Sequence, residues 1–93
     1  MSKESQIELM KFLGPEYELK TIDGELCIYR KINSKYDIEL SGTTRKNRPV
    51  NVYVWDISNG TGVGARTVES IYDIKDRETL KSTLGALVEK YSG

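Results

Sequence analysis

Two tripeptides in the sequence have the acidic-x-lysine form, Glu18-Leu19-Lys20 and Asp73-Ile74-Lys75. Carboxylates gathered round a hard divalent cation, with a lysine nearby, are the equipment of a metal-dependent nuclease. Asp56 is a candidate upstream acid for the second tripeptide. With 30% of the residues charged, however, such tripeptides arise readily by chance. Cys27 is the single thiol, and a cysteine nucleophile needs a base beside it. The sequence has no histidine, which removes both the commonest general base and the commonest metal ligand. One cysteine and no histidine make too few ligands for an ordinary zinc site. Cys27 therefore reads as a small strand hydrophobe, and the expectation is a non-enzymatic protein without metal or cofactor.

Two segments have the residue types for anion binding. The loop Thr43-Thr44-Arg45-Lys46-Asn47-Arg48 places three cations within four residues, a pattern that can hold phosphates by charge-assisted hydrogen bonds. In an antiparallel meander it emerges at the same end as Asp23-Gly24, two strands or about 10 Å away, where Asp23 and Glu25 offset part of its field. A solvated loop is the simpler reading. The run Asn59-Gly60-Thr61-Gly62-Val63-Gly64 superficially resembles a phosphate loop but lacks the Gly-Lys-Ser/Thr ending. It fits a hairpin tip of small residues better.

The chain of 93 residues fits a single domain, 1–93, with one shallow core. Fourteen basic and fourteen acidic residues cancel, so global charge gives no push toward nucleic acid or an anionic membrane. A lone cysteine allows no internal disulfide and fits a reducing compartment. No apolar run approaches the roughly 20 residues of a membrane span, and Met1-Ser2-Lys3-Glu4-Ser5 lacks a secretory signal's apolar stretch. A cytoplasmic protein is expected, without membrane contact.

The elements follow from periodicity and punctuation. Ser5 with Glu8 suggests a capping box for a helix over 5–13 with Ile7, Met10 and Leu13 on one face, stopped by Gly14-Pro15. Strands are expected over 16–22 and 25–32 around Asp23-Gly24, a strong hairpin signal, with Thr21 opposite Leu26 and Leu19 opposite Ile28. A third strand spans 36–41. An odd loop, Asn33-Ser34-Lys35, is needed before it to place Ile38 and Leu40 on the side of Ile28. A fourth strand spans 50–58. Asn59-Gly60 suggests a tight return through 61–68 as a fifth strand, although Gly62 and Gly64 weaken it. Whether 65–73 is strand or the start of a helix stays open. Asp76 caps a final helix to Tyr91 with Leu80, Leu84, Leu87, Val88 and Tyr91 on one face. The expected fold is α+β: an antiparallel meander of four to five strands, α-β-β-β-β(-β)-α, with both helices on one face.

This pairing predicts two sheet faces. Tyr17, Leu19, Leu26, Ile28, Ile38, Leu40, Val52, Val54 and Ala65 lie under the helices, while Lys20, Ile22, Cys27, Tyr29, Lys31, Asp37, Glu39, Tyr53, Trp55, Ile57 and Arg66 lie on the other side. There Trp55 faces Gly64 and Tyr53 faces Arg66. An uncovered face carrying Tyr29, Tyr53 and Trp55 beside Arg66 is a candidate contact surface. The plainer alternative is cross-strand packing, with Trp55 shielding the bare Gly64 backbone.

The order helix, three strands, helix is similar to that of the double-stranded-RNA-binding domain. The last helix begins Asp76-Arg77-Glu78-Thr79 rather than with a lysine cluster, and a further strand or two intervenes. No functional residue is carried over. The expected function is a small protein-binding or regulatory module whose partner is another protein or a second copy of itself, contacted through the sheet face or a sheet edge. The alternative is a nucleic-acid-binding domain using Arg45, Lys46 and Arg48 with Tyr53 and Trp55. Asp37 and Glu39 in the middle of that face oppose a phosphate backbone.

Overall fold

The alternating segments on either side of Asp23-Gly24 do pair. In the computed structural model, β1 (Glu18–Ile22) and β2 (Glu25–Lys31) are antiparallel, with Thr21 opposite Leu26 and Leu19 opposite Ile28. The structure describes residues 2–22, 24–43, 49–59 and 64–92. Asp23 and the cations Arg45, Lys46 and Arg48 lie outside them.

β3 (Tyr36–Ser41) follows through the odd loop that burial demands. The Ile32 amide donates to the Tyr36 carbonyl at 3.0 Å, leaving Asn33, Ser34 and Lys35 between them. Asn33 Oδ1 accepts from the amides of Lys35 and Tyr36, each at 2.9 Å, which is how a short polar side chain stabilises such a turn. Leu40 therefore sits opposite Ile28, and Ile38 opposite Arg30. β4 (Val50–Asp56) continues the sheet, pairing Val54 with Ile38 and Val52 with Leu40.

The fifth strand departs from expectation. β5 spans Arg66–Ile74, so residues 66–74 are strand and not helix, and the strand begins well beyond Asn59-Gly60. Trp55 pairs with Thr67 rather than Gly64, and Tyr53 with Ser70 rather than Arg66. Two irregularities occur, one between Val50 and Val52 and one between Val54 and Trp55. Each inserts one extra residue on β5, as a β-bulge does. Asp73 occupies the first with φ 61°, and its amide donates to Asn51 Oδ1 at 3.2 Å. All five strands form one antiparallel sheet in chain order.

α1 (Ser2–Leu13) begins three residues earlier than the Ser5 signal, and α2 (Arg77–Ser92) follows its expected cap. Asp76 Oδ1 accepts from the Thr79 amide at 2.8 Å, and Thr79 Oγ1 donates to Asp76 Oδ2 at 2.9 Å. These bonds hold the Asp76 carboxyl below its ordinary range. At the end of α1 the Gly14 amide donates to Met10 O at 3.0 Å with φ 129°, a conformation glycine adopts without a Cβ penalty.

Both helices cover the same face. Leu13, Leu80, Leu84 and Leu87 pack on Ile28, Ile38, Leu40, Val52 and Val54 in one cluster. Burial of each such side chain contributes roughly 1.5–3 kcal/mol. Leu19 packs at the margin of this cluster, and Ala65 falls outside β5. At its far end α2 is fastened to the sheet: Tyr91 Oη and Lys90 Nζ both donate to Glu69 Oε1, at 2.7 and 2.9 Å, and Asn33 Nδ2 donates to Tyr91 O at 3.0 Å. α1 is fastened by Gln6, which is fully buried and donates through Nε2 to Leu26 O and Thr43 Oγ1, both at 2.8 Å. No helix among the described residues is long and apolar enough to cross a membrane.

Candidate functional site on the second sheet face

With both helices on one side, the other side of the sheet carries the alternate residues of each strand. Register places Glu18, Tyr29, Glu39, Tyr53 and Ser70 in one row across all five strands. The adjacent row is Lys31, Asp37, Trp55 and Thr67. Tyr29, Tyr53 and Trp55 therefore share a face with Asp37 and Glu39, as the alternation predicts. Arg66 does not join them. It pairs with Asp56, of opposite parity, because the connection from β4 to β5 is longer than a two-residue Asn59-Gly60 turn and shifts the register by an odd number of residues.

The face has two halves of different character. On the β1–β3 half the polar groups shield one another. Cys27 is fully buried, Asp37 is 5% exposed, and Tyr29 is 7% exposed rather than open to solvent. Lys20 Nζ stands 4.2 Å from the centre of the Tyr29 ring, a cation–π contact. The Tyr29 hydroxyl lies beside the Asp37 carboxylate, and each acts on the other's ionisation. Burial raises the Asp37 pKa, and the Tyr29 hydroxyl, Lys20 and Lys31 pull it back only in part. Burial likewise raises the Tyr29 pKa, reinforced by the neighbouring Asp37 charge. Cys27 Sγ lies 3.8 Å from Glu39 Oε2 and 3.6 Å from Glu25 O, so the thiol is packed and weakly hydrogen-bonded rather than presented.

The β4–β5 half is open. Tyr72 is 60% exposed and stands edge-to-face on Tyr53, with ring centres 5.9 Å apart and planes at 77°. Trp55 is half-buried; its indole Nε1 is buried with no hydrogen-bond partner among the described residues. Val68, on the same strand as Tyr72, is 44% exposed. Tyr72 is the residue that sequence reading missed, because 65–73 was divided between strand and helix. The β-branched run Thr67, Val68, Ile71 and Ile74 was the available strand signal.

The other candidates separate. Glu18-Leu19-Lys20 lies on β1 and Asp73 on β5, opposite edges of the sheet and about 19 Å apart by strand spacing. Asp56 ends β4 while Asp73 on β5 stands beside Asn51 at the other end of that ladder, roughly 17 Å away by strand rise, so they do not share one metal ion. No group of three or more possible metal ligands exists among the described residues. Glu25 stands at the root of the basic loop, its Oε2 accepting from the Gly42 amide at 3.3 Å. The Gly42 φ is 78°, and a Cβ there would meet Pro49 O at 2.9 Å, so that root is shaped for glycine. No protein-family profile, curated protein or solved structure matches the chain.

Proposed function

We propose that this protein is a non-enzymatic protein-binding module whose contact surface is the β4–β5 half of the second sheet face, built on Tyr53, Trp55 and Tyr72. The observation that carries this reading is the edge-to-face pair of Tyr53 and Tyr72, the latter 60% exposed, on the side of the sheet away from both helices. Exposed aromatic rings at fixed orientation supply large contact area at small entropic cost, which is why tyrosine and tryptophan dominate interface cores. The partner is another protein, and the outer edge of β5 beside Val68 extends the surface that it meets.

Tyr53→Ala/Tyr72→Ala against wild type in a capture experiment from cell extract, with and without nuclease, tests the proposal. A nuclease-insensitive protein held by the wild type and lost by the variant supports it. Equal capture by both removes this face as the site. Capture abolished by nuclease points instead to nucleic acid and the loop cations.

A further inference from the structure

The structure has eight aromatic side chains, and five of them hold a cation from within the chain. Lys20 sits over Tyr29, Arg30 over Tyr17, Lys35 over Tyr36, and Lys90 over Tyr91; Arg77 and Lys81 both approach Phe12, at 4.8 and 4.9 Å. The remaining three are Tyr53, Trp55 and Tyr72, with no cation–π contact among the described residues. They are not scattered. They are neighbours on the open half of one sheet face.

In the register rows of this face the charged residues next to these rings are acidic. Within the register rows of this face, β4 and β5 contribute Tyr53, Trp55, Thr67 and Ser70, none of them charged. Asp37 and Glu39 border them on β3, with Asp37 directly opposite Trp55 and Glu39 directly opposite Tyr53. The lysines Lys20 and Lys31 are on β1 and β2, beyond those carboxylates. A ring face is electron-rich and attracts an ammonium or guanidinium within about 6 Å, tryptophan most strongly. A carboxylate next to the ring adds to that attraction, more so where water is partly excluded.

We infer that the Tyr53–Trp55–Tyr72 cluster receives an arginine or lysine side chain of the partner protein, in the way that Tyr29 beside the same Asp37 receives Lys20. This assignment rests on the proposed contact face and specifies the chemistry of what docks there. It also disfavours nucleic acid at this spot, since the bordering carboxylates repel phosphates.

Trp55 is the sole tryptophan, so its emission reports on the site directly. The probe is a short blocked peptide in which arginine alternates with glycine, and its control is the same peptide with citrulline, the uncharged isostere. The expected result is saturable change in Trp55 emission with the arginine peptide, at least about 5-fold tighter than with citrulline. Tyr72→Phe keeps the ring and binds within about 2-fold of wild type. Tyr72→Leu keeps apolar bulk without a π face and loses about 2- to 5-fold, the range of an exposed cation–π contact. Equal affinity for both peptides, no binding of either, or full affinity in Tyr72→Leu overturns the inference. Loss of partner capture in Tyr53→Ala/Tyr72→Ala without any preference for arginine retains the contact face and rejects the cation. Unchanged capture rejects the face itself.

Discussion

Replacing Tyr29 by phenylalanine deletes one oxygen from a side chain that is 7% exposed and takes a polar neighbour away from a carboxylate that is 5% exposed. The ring and its contact with Lys20 remain, so the change isolates the hydroxyl. A hydrogen bond to a charged group contributes about 1.5–3 kcal/mol. Asp37 keeps its lysines, so a loss of about 2 kcal/mol at neutral pH is expected. In a domain of this size each kcal/mol moves Tm by roughly 4–8 °C. Urea unfolding followed by Trp55 emission measures the loss, and its pH dependence tests the cause.

Asp37 is raised by burial, so between its unfolded and folded pKa values the folded state binds more protons, and stability falls as pH rises through that window. The Tyr29 hydroxyl opposes this shift. Without it the folded pKa rises further and the fall is steeper. The Tyr29→Phe deficit should therefore be largest at neutral pH and shrink toward the ~0.5–1.5 kcal/mol of a neutral hydrogen bond as pH approaches the ordinary carboxylate range. A deficit under about 0.5 kcal/mol at neutral pH, or one that does not vary with pH, refutes the argument.

Four further outcomes are expected. Asp37→Asn keeps an acceptor for the Tyr29 hydroxyl while removing the buried charge, so its stability should lack the wild-type decline as pH rises above the ordinary carboxylate range; an unchanged profile would place that decline elsewhere. Leu84→Ala, at a position 1% exposed, should cost about 2–5 kcal/mol in urea unfolding. Asp73→Val puts a β-branched side chain at φ 61° and should cost at least about 1–2 kcal/mol, whereas Asp73→Gly should be neutral or stabilising. Asp76→Ala should lower Tm at neutral pH and lose its effect in acid, because a carboxyl with a depressed folded pKa stabilises above its unfolded pKa and ceases to do so as pH falls through the folded one.

The parts of the fold legible in the sequence are those governed by period and turn chemistry. Asp23-Gly24 set the first hairpin register, and burial of Ile38 and Leu40 selected the odd loop before β3. Leucine spacing and Asp76 marked α2. Beyond β4 the reading slipped for two reasons. Asn59-Gly60 carried a tight-turn signal, whereas β5 starts only at Arg66. A parity argument also assumes one residue opposite one residue, and the extra residues in β5 break that count. Arg66 was misplaced by the longer connection, ahead of either extra residue, and Tyr72 was overlooked. Strand alternation assigned Tyr29 to the correct face but says nothing of what shields it. That depends on Lys20 and Asp37 reaching across strands.

The strand order β1-β2-β3-β4-β5 has a consequence for how the molecule is made. Every pairing joins neighbours in sequence, so the ladders close short loops and can form hairpin by hairpin at low entropic cost. The apolar lid is different. Leu80, Leu84 and Leu87 follow all five strands in the chain, yet they pack on Ile28 and Ile38 from the first half. During synthesis the meander can zip as it emerges with α1 already made, but the part of that face beneath α2 stays uncovered until α2 has left the ribosome. In that interval the nascent sheet exposes the apolar surface that chaperones recognise.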